Sequence, residues 1–318
     1  MEEKKLKIGI SACLLGQKVR WDGNHKQDRF LTDTLGQYVT YVPVCPEMEC
    51  GMGVPREPIR LVGDPASPLL MTTRTGKDWT FRMKAWAEGQ LDALSGENLC
   101  GYIFKSNSPS CGMVRVKLFG EDGKPRGKGG TGMFARMYMD RYPRIPVEEE
   151  GRLHDVNIRE HFIERLFLME KWRQLLCQGK TLGGLVTFHT RQKLLLLSHS
   201  EKHYREMGRL VATGKQLPLD LLFDTYEQLM LDAMKLMATV RKHTNVLHHI
   251  MGYFRKVLSP DEKQELSEII ESYRLNDLPL IVPVTLLNHY VRKYGEPYLI
   301  TQTYLEPHPI SLKLRNHA

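Results

Sequence analysis

Leu6-Lys-Ile-Gly-Ile-Ser-Ala-Cys13 is a short apolar run that leads directly into a cysteine. Two later runs, residues 38–44 and 99–104, have the same apolar character, and each precedes another cysteine. Short apolar runs bounded by turn residues are typical of buried strands. A stretch with helical spacing at residues 79–94 separates two of these runs, and such alternation predicts an α/β domain.

The cysteines that follow the three predicted strands are Cys13, Cys45 and Cys111. Ligands of open α/β sheets bind at the carboxyl ends of the parallel strands. We therefore predict a Rossmann-like, mostly parallel sheet with these cysteines at strand ends, where they converge in space despite their separation along the chain.

The second half of the chain has a different pattern, because apolar residues recur with helical spacing after about residue 148. This predicts an all-α domain. The predicted helices cover residues 157–178, 183–198, 202–212, 218–240, 243–257, 260–275 and 283–294. The segment 144–151 combines a proline, three carboxylates and a glycine, so we place the junction there and divide the chain into domains 1–148 and 149–318. The tail from residue 295 is expected to be extended on the surface.

The composition excludes several classes of protein. Hydrophobic residues make up 42% and charged residues 26% of the 318 residues, which excludes a disordered chain and a coiled coil. No apolar run approaches the roughly 20 residues of a membrane span, and the charged N-terminus lacks the apolar core of a signal peptide. We therefore expect a cytoplasmic protein. The net charge of +8 favours a polyanionic partner, with nucleic acid ahead of a membrane surface.

Six cysteines in a reducing compartment do not indicate a disulfide framework. Cys100 and Cys177 lie within apolar runs and are interpreted as packing residues. The other three predicted site cysteines suit zinc or an iron–sulfur cluster, and their spacing does not choose between the two. Cys50 is the candidate fourth ligand that a structural zinc ion would need.

Two further residues are candidates for chemistry beside the cysteines. Glu47 is two residues from Cys45, where a carboxylate can accept or deliver a proton; the alternative is a capping or salt-bridged glutamate. Ser108 lies three residues before Cys111, where its hydroxyl either stabilises the turn or contacts the substrate.

Several motifs together carry a resemblance to a known family. They are SACLLG at 11–16, RWDG at 20–23, VCPEMECGMGVPRE at 44–57, KSNSPSCG at 105–112 and GKGGTG at 127–132. Over residues 5–145 the chain resembles the thiouracil desulfidase family, abbreviated TudS and also catalogued as DUF523. The resemblance implies a 4Fe-4S cluster held by Cys13, Cys45 and Cys111, with the fourth iron open to the thiocarbonyl sulfur. It also implies that Glu47 activates water with help from Ser108, that sulfide leaves without net redox change, and that Cys50 is not a ligand.

Charged and aromatic side chains near these motifs are candidate substrate contacts. They are Arg20, Trp21, Asp22, Arg56 and Lys105, together with Arg60. Stacking on a base or binding of a phosphate would use such residues. Surface salt bridges are the alternative interpretation.

The predicted helical domain has a strongly basic segment. Residues 171–215 contain nine lysines and arginines against two carboxylates. Lys202, Arg205 and Arg209 share one helix face, and Arg191 and Lys193 lie nearby in the sequence, an arrangement that suits a phosphate backbone. A solvated basic face is the alternative.

LVTFHTRQKLLLLSHS at 185–200 and YREMGRLVA at 204–212 resemble the YbgA-like or DUF1722 family, over about residues 180–300. The combination of the two domains resembles the tRNA 4-thiouridine desulfidases, abbreviated RudS, and implies that the helical domain binds the RNA. We therefore expect a tRNA 4-thiouridine desulfidase with tRNA as its partner and no membrane. Two alternatives remain open: a desulfidase of free thiouracil or thionucleosides, and a non-catalytic nucleic-acid-binding protein with a structural zinc or a redox-sensing cluster.

Overall fold

The structure is a computed structural model that describes residues 5–317. The chain forms two compact units, and the division between them falls between Phe162 and Ile163. This division lies inside one continuous helix, Val156–Cys177. The predicted domain bounds, 1–148 and 149–318, remain a prediction.

The first unit is an α/β unit with two four-stranded sheets. Its strands are β1 Leu6–Ser11, β2 Val39–Val44, β3 Ile59–Val62, β4 Leu69–Thr72, β5 Gly101–Phe104, β6 Val116–Phe119, β7 Pro125–Gly130 and β8 Val147–Glu149. Its α-helices are α1 Pro46–Glu49, α2 Thr80–Ser95 and α3 Met133–Arg141. The first sheet has the order β2-β1-β5-β8, and all its strand pairs are parallel. The second sheet has the order β4-β3-β6-β7 and is mixed.

The first sheet confirms the predicted fold class. Ile8 and Ile10 of the central strand β1 are fully buried, as expected of a strand covered on both faces. The core beside β5 is aromatic, because Tyr102 packs against Phe104 and Tyr138 with ring centroids 4.3 and 4.6 Å apart. The second sheet was not predicted.

The segment 144–151 is part of the fold of the first unit rather than a flexible connection. Its residues Val147–Glu149 form β8, which pairs with β5 at the edge of the first sheet. The three successive carboxylates Glu148, Glu149 and Glu150 are buried. Their partners are described with the site below.

The helical character predicted for the second half is confirmed. Its helices are α4 Val156–Cys177, α5 Leu182–His199, α6 Glu201–Ala212, α7 Leu219–Lys235, α8 Val240–Tyr253, α9 Pro260–Arg274, α10 Ile281–Tyr294 and α11 Pro297–Ile300. Trp172 is at the centre of one core, where its ring lies 5.3 Å from Phe188 and 5.4 Å from Tyr226. In the described part of the chain, no helix has an apolar stretch of membrane-spanning length.

The tail differs from its prediction. Residues after 295 form α11 and two short 3-10 turns instead of an extended surface segment. Leu299 and Tyr304 are fully buried, and Arg315 is 4% exposed. Pro297 begins α11 and Pro309 precedes a 3-10 turn, while Leu299 and Tyr304 between them are buried.

Candidate active site

The three predicted cysteines lie at the carboxyl ends of neighbouring parallel strands. Cys13 is in a 3-10 turn that follows β1, Cys45 follows β2 and begins α1, and Cys111 is in the loop after β5. All three line one cavity of about 360 Å³. Strand-end geometry thus brings together cysteines that are far apart in the sequence.

The distances between the three thiols bear on whether they can bind a single zinc ion or a polynuclear cluster. Among the described residues, the three sulfur atoms do not form a group that lies within 4.8 Å of one another. A single tetrahedral zinc ion with bonds of about 2.3 Å needs sulfur atoms about 3.8 Å apart. In a polynuclear cluster each cysteine binds a different iron, so the cysteine sulfur atoms lie farther apart than in a zinc site. The donor set therefore fits a cluster better than a mononuclear zinc site.

Cys50 is not part of this cavity. Its side chain is 4% exposed and packs in the core with Leu61, Leu70 and Met83. Its thiol donates a hydrogen bond to the backbone oxygen of Glu47 at 3.5 Å. The fourth-ligand alternative is therefore not supported, and the cavity has three cysteines.

Burial shapes the chemistry of the thiols. It raises the pKa of Cys13 to about 12 and that of Cys45 to about 11, and each also experiences neighbouring negative charge. The pKa of Cys111 is raised further, mainly by burial and then by Glu47. Protein ligands bind metals as thiolates, so loading a metal at this site releases protons from these groups.

The carboxylate of Glu47 is held from both sides at the same cavity. The Arg56 guanidinium contacts Oε2 through two nitrogens, with Nε at 3.0 Å. On the other side, Oε1 accepts a hydrogen bond of 2.6 Å from the hydroxyl of Ser110 and a longer one of 3.4 Å from that of Ser108. This network fixes the position of Glu47 next to the loop that carries Cys111.

Ser110 is a site residue that the sequence reasoning missed. It is fully buried, and its hydroxyl also lies 3.7 Å from the sulfur of Cys111. Ser108 has a different position, because its hydroxyl accepts from the backbone nitrogen of Cys111 at 3.1 Å and from that of Ser110 at 3.3 Å. Ser110 directly precedes Cys111 in the sequence, and this adjacency is the signal that could have identified it.

The Cys111 loop packs tightly against the start of α3. The backbone nitrogen of Gly132 donates to the oxygen of Gly112 at 2.7 Å, and that of Met133 donates to Pro109 at 3.0 Å. A Cβ atom on Gly132 would lie 2.6 Å from the backbone carbon of Ser110. Only glycine fits at that position, which explains one residue of the GKGGTG motif.

The buried carboxylates after residue 147 hold both ends of the same loop. Glu149 accepts hydrogen bonds from the backbone nitrogens of Met113 at 2.6 Å and Val114 at 3.3 Å. Glu150 accepts from the backbone nitrogen of Ser106 at 2.6 Å and forms a salt bridge with Lys105. We name Glu149 and Glu150 together the carboxylate clamp.

Four of the six predicted substrate contacts of the first unit line the cavity: Arg20, Trp21, Arg56 and Lys105. Asp22 and Arg60 do not: Asp22 lies 3.6 Å from Arg20, and the Arg60 guanidinium lies over the ring of Phe119. Trp21 is 44% exposed, so its ring is available at the cavity rim. The charges of Arg56 and Lys105 are already paired with Glu47 and Glu150, which makes them parts of the site framework.

The basic residues predicted on the second unit divide into two groups. Lys193, Arg205 and Arg209 line a groove between α5 and α6, whereas Arg191 and Lys202 are exposed outside it. Arg205 is also within 2.5 Å of Glu201 on its own helix.

Comparison with known proteins identifies both halves of the chain. Residues 8–150 match the family described as 2-thiouracil desulfurase, and residues 193–309 match the family DUF1722, described as a protein of unknown function. The uncharacterized protein YbgA of Escherichia coli strain K12 is 37% identical over 153 residues, which cover 48% of this chain and 90% of YbgA. The chain belongs to the YbgA (DUF1722) family and also carries a 2-thiouracil desulfurase domain.

Two further proteins are similar to part of the chain. The uncharacterized protein YbbK of Bacillus subtilis strain 168 is 28% identical over 154 residues, covering 47% of this chain and 99% of YbbK. A solved structure described as the 4Fe-4S-dependent thiouracil desulfidase TudS has 30% sequence identity and a TM-score of 0.39, covering 48% of this chain and 95% of that protein. The cavity with the three cysteines is thus formed by residues of the desulfurase domain.

Proposed function

We propose that the protein removes the sulfur of 4-thiouridine in tRNA, giving uridine and sulfide. The observation that carries this proposal is the single cavity that joins three cysteine thiols to the fixed carboxylate of Glu47. The match of residues 8–150 to the 2-thiouracil desulfurase family supports desulfidation as the reaction class.

In this proposal Cys13, Cys45 and Cys111 hold a 4Fe-4S cluster. The cluster with three protein ligands would supply one iron as a Lewis acid for the thiocarbonyl sulfur. The position of Cys50 in the core supports this assignment, because it leaves the cavity without a fourth cysteine. The three sulfur atoms do not all lie within 4.8 Å of one another, which disfavours the alternative of a structural zinc ion.

The reaction is a hydrolysis. Water forms a new C–O bond at the ring carbon, the C–S bond breaks, and sulfur leaves as sulfide, so no electrons are gained or lost. Glu47 takes the proton of the attacking water, and Arg56 and Ser110 hold its carboxylate in place. Trp21 at the rim would stack on the base as it enters.

The choice of tRNA as substrate depends on the second unit. Residues 171–215 have an excess of seven positive charges, and Lys202, Arg205 and Arg209 project from one helix, α6. Such a surface suits the phosphate backbone of RNA, and its binding weakens steeply with salt. We keep the cytoplasm as the proposed compartment, since it holds tRNA.

A second candidate function is desulfidation of free thiouracil or a thionucleoside. The cavity of about 360 Å³ is of a size that accepts one base without the rest of an RNA. In that case the basic surface of α6 would have no part in catalysis.

The deciding experiment is anaerobic. The protein is reconstituted with iron and sulfide and incubated with tRNA that contains 4-thiouridine or with free thiouracil, and released sulfide is measured with the loss of thiobase absorbance. We expect turnover of the tRNA, and a loss of that turnover alone when Lys202, Arg205 and Arg209 are changed to Glu. Turnover of free thiouracil alone would favour the second function, and no turnover of either would contradict both.

A further inference from the structure

The groove between α5 and α6 has the features of a binding site. It has a volume of about 790 Å³ and lies entirely within the second unit. Its apolar lining consists of Leu182, Val186, Val211 and Ala212, and its basic lining consists of Lys193, Arg205, Arg209 and Lys215. Within the described part of the chain, no carboxylate lines it.

The floor of the groove contains a buried histidine with an unused ring nitrogen. His189 is 3% exposed, and its Nδ1 lies 3.1 Å from the hydroxyl of Tyr226. Its Nε2 is buried and has no hydrogen-bond partner within the described residues. A buried polar atom without a partner is costly, so this nitrogen favours a ligand that can bond to it.

The imidazole of His189 is neutral at physiological pH. Burial lowers the pKa of this side chain to about 4, and the positive charge of Lys193 adds to the effect. A neutral imidazole presents either a donor or an acceptor at Nε2, depending on what the Tyr226 hydroxyl does at Nδ1. The inserted part of a ligand must therefore carry a group that can hydrogen-bond to Nε2.

Gly208 of α6 faces this buried nitrogen without a side chain. It lies within the helix, and a Cβ atom at this position would come within 3.8 Å of Nε2 of His189. A longer side chain at this position would need space beside the histidine, at the wall that Gly208 contributes to the groove. Glycine in a helix interior costs about 1 kcal/mol relative to alanine, so its presence here keeps the groove open at the expense of helix stability.

We propose that this groove binds a single nucleotide, with the base against the apolar wall and bonded to Nε2 of His189, and with the phosphate at Lys193 and Arg209. A nucleobase is planar, largely apolar on its faces and polar at its edge, as this lining requires. The basic side chains at the groove supply the partners for the phosphate. An acyl chain has no group for Nε2, which excludes a lipid tail on chemical grounds.

The inference deepens the proposed function and rests on it in one respect, namely that the nucleotide belongs to the RNA substrate. The same chemistry would also recognise a free nucleotide. Binding of RNA at the groove would add one base-specific contact to an otherwise charge-driven surface.

The test measures binding, so it does not depend on desulfidation. Uridine 5′-monophosphate, uridine and a tRNA are titrated by calorimetry or fluorescence against the full chain and against the variants Gly208→Leu and His189→Phe. Gly252→Leu is the matched control, because Gly252 also lies in a helix and a Cβ there would meet no atom within 4 Å. Lys193→Ala, which removes a proposed phosphate contact, is titrated in the same way, and Lys256→Ala, at an exposed site, is its control.

We expect Gly208→Leu to weaken binding of the monophosphate or of tRNA at least tenfold, while Gly252→Leu leaves both unchanged. Loss for tRNA alone identifies the RNA as the source of the nucleotide, and loss for the monophosphate alone identifies a free nucleotide. Unchanged affinity for both probes in Gly208→Leu and His189→Phe overturns the proposal. Desulfidation of free thiouracil, measured in the same variants, reports separately on the proposed reaction and on the integrity of the first unit.

Discussion

The hydroxyl of Ser110 donates a hydrogen bond of 2.6 Å to Oε1 of Glu47, and Ser110 directly precedes Cys111. A carboxylate that follows β2 is thereby fixed to the loop that follows β5. The same hydroxyl lies 3.7 Å from the sulfur of Cys111, so it contacts the proposed proton acceptor and a proposed cluster ligand at once.

Replacing Glu47 by glutamine should abolish most desulfidation and leave the cluster in place. Glutamine keeps the size of the side chain but cannot accept the proton of water, and loss of a general base costs about 10²–10⁴ in rate. Sulfide release is measured together with iron content. Glu121→Gln, on an exposed turn, is the control, and full activity of Glu47→Gln would remove this residue from the mechanism.

The two serines of the Cys111 loop should give different defects. Ser110→Ala removes the short bond to Glu47, so we expect a lower turnover rate with normal iron content. Ser108→Ala removes the acceptor for the backbone nitrogen of Cys111, so we expect faster loss of iron to a chelator. Equal effects of both substitutions on iron retention and turnover would show that the two hydroxyls do not have separate roles.

Three of the four cysteines in or near the site should be needed for iron binding, and Cys50 should not. Serine at position 13, 45 or 111 is expected to prevent stable reconstitution of the cluster, whereas Cys50→Ala keeps the full iron content because its thiol lies in the core. Iron and acid-labile sulfide analysis with the visible spectrum gives the result. A loss of iron in Cys50→Ala without any loss of thermal stability would identify Cys50 as a ligand.

The carboxylate clamp should control how long the cluster survives. In Glu149→Ala the backbone nitrogens of Met113 and Val114 lose their acceptor, and a hydrogen bond to a charged group contributes about 1.5–3 kcal/mol. We expect a shorter cluster lifetime under chelator and a lower unfolding temperature. Glu97→Ala is the control, since Glu97 pairs with Lys7 at the surface, where a salt bridge contributes about 0–1 kcal/mol. Identical cluster lifetimes in the two variants would argue against the clamp.

The second unit should lose stability in mild acid through a buried histidine. Burial lowers the pKa of His243, which bonds to the Tyr304 hydroxyl at 3.0 Å, to about 3. The unfolded chain binds this proton near the ordinary pKa of about 6.5, so the contribution of His243 to stability is complete above that pH and falls as the pH drops toward 3. The expected loss from pH 7 to pH 5 is about 2 kcal/mol at most.

A His243→Gln variant tests this contribution. Its free energy of unfolding should depend less on pH than that of the unchanged protein, in urea titrations at pH 7 and pH 5. His189 and His308, whose pKa values are also lowered to about 4 by burial, retain their own share of the pH dependence. The same difference between the two pH values in variant and parent would show that His243 does not contribute.

The sequence was informative where one local pattern determined one element. The run at residues 6–11 and the helices of the second half follow from apolar periodicity. Ser259, followed by Pro260 and Glu262, forms a capping box at the start of α9, and a capping box is a purely local pattern. Convergence of the cysteines followed from a general property of parallel sheets. Their assignment as ligands of a cluster is a proposal that rests on the family resemblance.

Other features depend on tertiary contacts that no local pattern reveals. The strands of the second sheet are short, and β7, with the sequence PRGKGG, has no apolar alternation at all. The sequence predicts a polar junction at Glu148, Glu149 and Glu150, because three adjacent carboxylates are normally exposed. Their burial is explained only by the loop nitrogens and basic side chains that they bind.

The position of the clamp in the chain also sets an order of assembly. Cys13, Cys45 and Cys111 are all synthesised before β8, yet the loop that carries Cys111 is fastened at both ends only after Glu149 and Glu150 have reached the edge of the first sheet. During synthesis on the ribosome, the three proposed ligands are therefore present before the loop of Cys111 has all of its hydrogen-bond partners. We expect this loop to take its final position only when β8 pairs with β5, and not when the last cysteine is made.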